Sequence, residues 1–199
     1  MPTRTTTFGL IDRIRNGDRE AFSLLFEKYR PRLAVLVHYR LGPELRGLVE
    51  VDDVLQETFL RAFRDLSQFT YRSPGSFMNW LSTIAAHVLA DLARFHARER
   101  RHAPELVRFR SASNPDGPEP VDSRTPSRLL AEQEGVRSLL GRLDALPEDY
   151  REAILLAKVE GLSTEEMAQR LGRSRESVSL LLHRAVKRFR SLEAEAQQP

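Results

Sequence analysis

Apolar residues recur at helical spacing along most of this chain, and no run alternates as a half-buried strand would. From Asp18 onward, Ala21, Phe22, Leu25, Phe26 and Tyr29 fall on one helical face. Pro31 lacks a backbone donor and predicts a kink or a restart. Leu33, Leu36, Val37 and Leu41 then carry the period to the break at Gly42-Pro43. Residues 43–50, PELRGLVE, read as a weak helical turn or a loop. A strong helix, DDVLQETFLRAFRDL, opens at Asp52-Asp53, with Asp53 and Gln56 as its D-x-x-Q start signal. Its buried stripe reads as Leu55, Phe59, Ala62, Phe63 and Leu66, which turns Asp53, Glu57, Arg61 and Arg64 outward. Acid in its first turns and base in its last suit the helix dipole, as a solvated face would.

Residues 67–76, SQFTYRSPGS, form a loop turning at Pro74-Gly75. Its Phe69, Tyr71 and Arg72 could either lid a core or stack on an unpaired base. The next helix runs from Phe77 to about Arg101, with Phe77, Trp80, Leu81, Ile84, Val88, Leu92 and Phe95 as one apolar stripe. Opposite lie the small residues Ser82, Ala86, Ala90, Ala93 and Ala97, a face that another helix or a nucleic-acid strand could approach. Arg94, Arg98, Arg100 and Arg101 make the far end basic and suited to phosphate.

Residues 103–127 are rich in proline, serine and charge and read as a linker, disordered by itself. A second domain begins near Ser127 with Leu129, Leu130, Val136, Leu139, Leu140, Leu143 and Leu146, and Pro147 marks the next helix start. It ends in GLSTEEMAQRLGRSRESVSLLLHRAVKRFR. Ser163 and Glu166 form a capping box there, Ala168 and Leu171 point inward, and Gly172 stops the first helix. Ser174 caps a second helix whose inner stripe is Val178, Leu182, Ala185 and Phe189. Two helices around so short a turn form the pattern of a DNA-reading helix-turn-helix.

The composition narrows the class. The 199 residues, 41% hydrophobic and 30% charged, suit a soluble globular protein of one or two domains. Net charge is only +3, so a nucleic-acid surface has to be local. One is present: Arg173, Arg175, Arg184, Lys187, Arg188 and Arg190 stand against Glu176 alone, and Glu176, Leu180, His183, Arg184 and Lys187 point opposite Val178. A solvated helical hairpin with a basic face remains the bland alternative. The absence of cysteine excludes disulfides and thiolate metal sites. The five histidines do not cluster with acids, and neither a glycine-rich phosphate loop nor a nucleophile motif is present, so the sequence predicts no enzyme, no metal and no cofactor. No stretch approaches a membrane span, and the first residues lack the apolar run of a signal peptide; a cytoplasmic location is expected.

Four segments in order resemble the extracytoplasmic-function sigma factors of bacterial RNA polymerase: GDREAFSLLFEKYRPRL, DDVLQETFLRAFR, SFMNWLSTIAAHVLADLAR and LPEDYREAILLAKVEGLSTEEMAQRLGRSRESV. The resemblance implies an all-α fold of two small domains, 1–102 (region 2) and 128–199 (region 4), joined by the linker at 103–127. Region 2 in that family grips the polymerase clamp and melts and reads the promoter −10 element, while region 4 reads the −35 element. Carried onto this chain, the resemblance implies core-polymerase contacts at Asp53, Gln56 and Glu57, which replaces the solvated-face reading of that helix. It implies −10 contacts at Tyr71, Arg72, Ser76, Asn79, Thr83, His87, Arg94, Arg98 and Arg101, with Trp80 largely structural. It implies −35 contacts at Arg173, Arg175, Ser179, Leu180, His183, Arg184 and Lys187. His87 replaces the family's usual Asn, Ser179-Leu180-Leu181 replaces its usual Lys or Arg, Ser and Arg, and the joint before Asp52 is longer than usual. The implied partners are bacterial core RNA polymerase and promoter DNA, with an anti-sigma protein expected on the family's pattern alone. The rival readings are a stand-alone helix-turn-helix regulator binding duplex DNA, and a protein-binding adapter with a solvated basic face.

Overall fold

Four of the described helices begin where a side chain takes up one of the first free N–H groups. The computed structural model describes residues 6–73, 75–102 and 134–196. Thr6 accepts from the Gly9 N–H at 3.1 Å and opens α1, Thr7–Arg15, which the hydrophobic pattern had not announced. Asp18 accepts from Ala21 N–H at 3.1 Å and opens α2, Arg19–Arg40. Pro31 lies inside α2 without ending it, so the helix does not restart there. Leu33, Ala34, Leu36 and Val37 beyond it are fully packed, and that burial holds the helix through the one missing backbone bond. α3 spans Val51–Asp65 and starts earlier than the D-x-x-Q signal suggests. Glu50 precedes it with no side-chain cap bond, and Asp52 and Asp53 sit inside the first turn.

A single 3-10 turn, Leu66–Gln68, leads from α3 toward α4, Ser76–His102. Helices α2, α3 and α4 pack on one another and α1 lies along α2. Val54, Leu55, Phe59, Ala62, Met78, Leu81, Ala85 and Val88 fill the interior between α3 and α4. Three apolar assignments change. Phe63 is 49% exposed and Phe95 55% exposed, so neither belongs to the buried stripe. Thr58 takes an interior place instead, its hydroxyl satisfied by the Val54 carbonyl at 2.6 Å. Phe69 is a core lid and not a free stacking surface: it is buried, with ring centres 5.3 Å from Phe77 and 5.0 Å from Trp80.

The second half begins in the described residues with α5, Glu134–Asp144. The linker expected at 103–127 and the apolar pair Leu129-Leu130 fall outside the described residues. Pro147 precedes α6, Glu148–Ile154, which widens into a π-helical turn over Leu155–Glu160 and stops at Gly161, a left-handed residue with φ 80°. The capping box forms as read: Glu166 N–H donates to the Ser163 hydroxyl at 3.3 Å, and Ser163 N–H to the Glu166 carboxylate at 2.7 Å. It opens α7, Thr164–Leu171, which ends at left-handed Gly172. Ser174 accepts from Ser177 N–H at 3.2 Å ahead of α8, Arg175–Ala196. Helices α6 and α7 pack on α8 around Met167, Val178 and Ala185, and Leu171 is only half-buried. Among the described residues there is no strand, and no helix is long and apolar enough to cross a membrane.

The two halves meet. The π-helical turn packs on α2 and α4, Arg32 of α2 donates to the Lys158 and Val159 carbonyls at 3.0 and 2.8 Å, and the Tyr39 hydroxyl stands 3.1 Å from the Asp144 carboxylate. Ser163→Ala should remove the α7 cap at a cost of about 1 kcal/mol, seen as a lower urea midpoint at neutral pH. The Ser163 backbone N–H, then its hydroxyl, hold the Glu166 carboxyl below its ordinary 4.5. A carboxyl with a depressed folded pKa stabilises above its ordinary value and ceases to do so as pH falls through the lowered one. Glu166→Gln should therefore cost stability at pH 7 and progressively less as the pH drops below 4.5; an equal loss at both ends would contradict the box.

Candidate nucleic-acid interface

One side of α4 carries a row at helical spacing, with one turn skipped after His87: Asn79, Thr83, His87, Arg94 and Arg98. All are outward, and Asn79 is half-buried at the loop end. Thr83 donates its hydroxyl to the Asn79 carbonyl at 3.0 Å. Arg94 is engaged by Asp91, which also takes Arg61 at 2.7 Å. Arg61, then Arg94, hold the Asp91 carboxyl below its usual range, so this acid stays charged beside the row. The Arg101 side chain lies outside the described residues.

At the N-terminal end of that row the loop is built as a cup. Ser76 donates to the Ser73 carbonyl at 2.7 Å and accepts from the N–H groups of Arg72 and Ser73 at 3.2 and 3.3 Å, so Ser76 shapes the loop with the hydroxyl expected to contact DNA. Gln68, Phe69, Thr70, Arg72, Asn79, Trp80 and Thr83 line one cleft beside it. Tyr71 stands edge-on to Phe8 of α1, with ring centres 5.5 Å apart. Arg15 of α1 reaches the carbonyls of Leu66 and Phe69, and Thr7 bonds the Tyr29 hydroxyl at 2.8 Å. Thus α1 straps the loop from behind. The sequence signal for it was present in Thr6, Leu10, Ile11 and Arg15, in a stretch where the reading began only at Asp18.

A second surface, sharing no lining residue with the cleft, lies where α2 and α3 leave an apolar groove. Arg19, Phe22, Phe26, Arg30, Asp52, Leu55, Gln56, Phe59, Leu60 and Phe63 line it. Phe22 and Phe63 meet edge to face at 4.7 Å, Phe26 and Phe59 at 4.1 Å, and the Arg30 guanidinium covers the Phe26 ring at 5.7 Å. Of the three residues expected to meet the polymerase, Gln56 lines this groove. Asp53 is exposed beside it, and Glu57 is paired with Arg61 at 2.7 Å. Asp52 also lines the groove and approaches Arg30 at 3.5 Å. The missed residues Leu60 and Phe63 follow Gln56 at the four- and three-residue spacing of one outward face.

The third surface is α8. Arg175, Glu176, Ser179, Leu180 and His183 share one shallow depression, with Arg184 and Lys187 exposed further along. Arg173 instead turns to Asp149 of α6 at 2.8 Å. Leu180 is 50% exposed and is the one large apolar residue so open in the described second half.

An all-helical chain with a helix-turn-helix, a cup of aromatic and hydroxyl groups and a row of cationic side chains is by class a DNA-binding transcription protein. Residues 25–99 match Sigma-70 region 2 and residues 137–189 match Sigma-70, region 4. The chain is 31% identical over 170 residues to the ECF RNA polymerase sigma-E factor of Haemophilus influenzae, covering 85% of each. It is 34% identical over 188 residues to the RNA polymerase sigma factor CarQ of Myxococcus xanthus, covering 94% of this chain and 97% of that one. The solved structure of CnrH in complex with the cytosolic domain of CnrY is 26% identical, with TM-score 0.45 over 95% of this chain and 97% of that one. The chain belongs to the extracytoplasmic-function sigma factors: it binds core RNA polymerase and directs it to promoters, and it is an initiation factor and not an enzyme.

Arg15→Met keeps the stem of the strap and removes its two bonds to the loop. Because bonds from a charged donor contribute more than neutral ones, the loss should be on the order of 1.5–3 kcal/mol. Urea unfolding followed through Trp80, the only tryptophan, would report it; an unchanged midpoint would show that the strap bears nothing.

Proposed function

We propose that this sigma factor divides promoter recognition between its halves, taken as 1–102 and 128–199 around the joint at 103–127. The first half opens and reads the −10 element with Tyr71, Arg72, Asn79, Thr83 and His87, and Ser76 acts by shaping the loop. Arg98, the partly neutralised Arg94 and Arg101 hold phosphate further along α4. The second reads the −35 element with Arg175, Ser179, Leu180, His183, Arg184 and Lys187. Arg173 fastens α7 and α8 to α6 through Asp149. Core polymerase seats in the Phe22–Phe63 groove with Gln56 and the acids Asp52 and Asp53 on its rim. Membership in the family brings with it a cytoplasmic place of action and an anti-sigma regulator.

The carrying observation is that the first half holds an open apolar groove and, lined by different residues, a polar cup with a cationic row. A large exposed apolar patch marks a protein partner, and a row of cations beside hydroxyl and amide groups suits a nucleic-acid strand. Melting by capture is physically sufficient: flipping a base costs a few kcal/mol, which stacking and backbone contacts offset.

Leu60→Asp and Phe63→Asp, both at exposed sites, should leave helicity intact and weaken co-purification with core polymerase at least tenfold each. Burying such a side chain contributes roughly 1.5–3 kcal/mol, and 1.4 kcal/mol is a factor of ten. Run-off transcription from a promoter selected by the wild-type holoenzyme out of random DNA should fall with it. Undiminished binding and transcription would remove the groove from the account.

Leu180 should read a thymine methyl, since apolar side chains in the major groove discriminate in that way. Replacing the critical −35 thymine by uracil should cost the wild type on the order of 1 kcal/mol, the value of a methyl group or two. The same replacement should cost Leu180→Ala little. A full uracil penalty in the variant would exclude the contact.

A further inference from the structure

The row of cationic and polar groups on α4 has a gap, and an acid fills it. The turn skipped between His87 and Arg94 holds Ala90, of the small face, and Asp91. Asp91 and Glu99 are the only acids on this helix, and Glu99 stands against His96 at 3.2 Å. The Asp91 carboxylate is divided between two arginines: one oxygen takes Arg61 of α3 at 2.7 Å, and the other takes Arg94. Arg61 is divided in turn, because its Nε donates to Glu57 at 2.7 Å. Two acids and two bases thus form one chain from α3 to the row, and their charges sum to zero. Arg94 is its open end, with a side chain 65% exposed. Arg98, one turn on, has no ion pair among the described residues.

Spacing along the helix makes Arg94 and Arg98 equivalent, and these contacts make them different. A phosphate that approaches Arg98 meets a whole cationic charge. One that approaches Arg94 meets a cation already paired, with a carboxylate behind it. That carboxylate stays ionised, because Arg61, then Arg94, hold it below the usual range. Arg94 can grip phosphate fully only by leaving Asp91, which then faces the same phosphate as a like charge. A pair so exposed contributes little to stability, and its larger effect is on the field above the helix.

We propose that Asp91 is a positioning residue that limits the grip of the row on phosphate: it holds Arg94 in reserve and sets a fixed negative charge among the cations of α4. This rests on the reading of α4 as the −10 surface. The limited contribution is the one without sequence information, since phosphate contacts position a protein while base edges specify the site. Asn79, Thr83 and His87, the base-reading groups of that proposal, lie on the near side of the gap, and Asp91 pairs with none of them. Loss of this acid should therefore tighten DNA binding, the reverse of what losing a structural contact does.

Asp91→Asn keeps the shape of the side chain and removes its charge. Holoenzyme carrying it, on a promoter that wild-type holoenzyme selects from random DNA, should bind tighter by up to about fivefold. The slope of log affinity against log salt should steepen by about 0.7 to 0.9, one phosphate contact regained. Adding Arg94→Ala to the same chain should abolish both gains. Arg61→Met separates charge from structure: it breaks the same tie to α3 but leaves Asp91 with one cation fewer, and should weaken binding. A purely structural Asp91 would make Asp91→Asn and Arg61→Met weaken binding alike. That outcome, or an unchanged slope in Asp91→Asn, overturns the proposal. Arg98→Ala checks the reading beneath it and should flatten the slope by about the same 0.7 to 0.9. If it does so while Asp91→Asn changes nothing, the role of Asp91 alone falls. If Arg98→Ala alters neither affinity nor slope, α4 holds no phosphate, and the −10 reading falls together with the role of Asp91.

Discussion

A carboxylate taken out of water must find donors, and in this chain Glu160 finds them only across the joint between its two halves. That constraint orders much else. It sets the π-helical turn against α2 and α4, and it draws in the Arg32 bonds to the last carbonyls of that turn. It also brings left-handed Gly161 against Gly75 in the loop before α4. Replacing such a pair by apolar groups is often neutral for stability, so its physical use here is geometric: it decides where the second half sits.

Around this joint the molecule keeps buried what must stay rigid and exposes what must meet a partner. Phe69, Phe77 and Trp80 form one aromatic platform under the loop, and α1 holds it from behind through Arg15. At the groove Leu60 and Phe63 remain open although they sit on the same helix as core residues, and Phe63 packs on half-buried Phe22. Exposed aromatic residues that pack on each other at a groove lip are poor for solubility and good for docking. The Glu57–Arg61–Asp91 chain of ion pairs ties α3 to α4, so the groove on α3 and the row on α4 share one rigid support.

Much of this was legible in the sequence, for physical reasons. The capping box at Ser163 and Glu166, the glycine stop at Gly172 and the outward face of α8 depend on contacts within a few residues, which spacing alone encodes. Pro31 does not restart the helix, because its cost is local while the packing that carries α2 past it is not. Phe63 and Phe95 fit a helical stripe as well as their buried neighbours do, and only the third dimension shows that nothing covers them. The partners of Arg40 and Glu160, 120 positions apart in sequence, have no local signature at all. Nor did spacing distinguish Asp52 from Asp53 at the groove rim, since adjacent acids in a first turn differ only in what the neighbouring helix presents.

Reading two promoter elements with the two halves requires the molecule to pass from an arrangement in which its halves touch to an open one. Spin labels at two exposed positions, Glu20→Cys on α2 and Ala194→Cys on α8, would measure the separation of the halves by pulsed electron resonance. The free factor should give one short, narrow distance distribution, and the holoenzyme bound to promoter DNA should shift it outward by tens of ångströms toward the roughly 85 Å that separates the two promoter elements. A distribution that is already long in the free factor, or one that stays short on the promoter, would contradict the account.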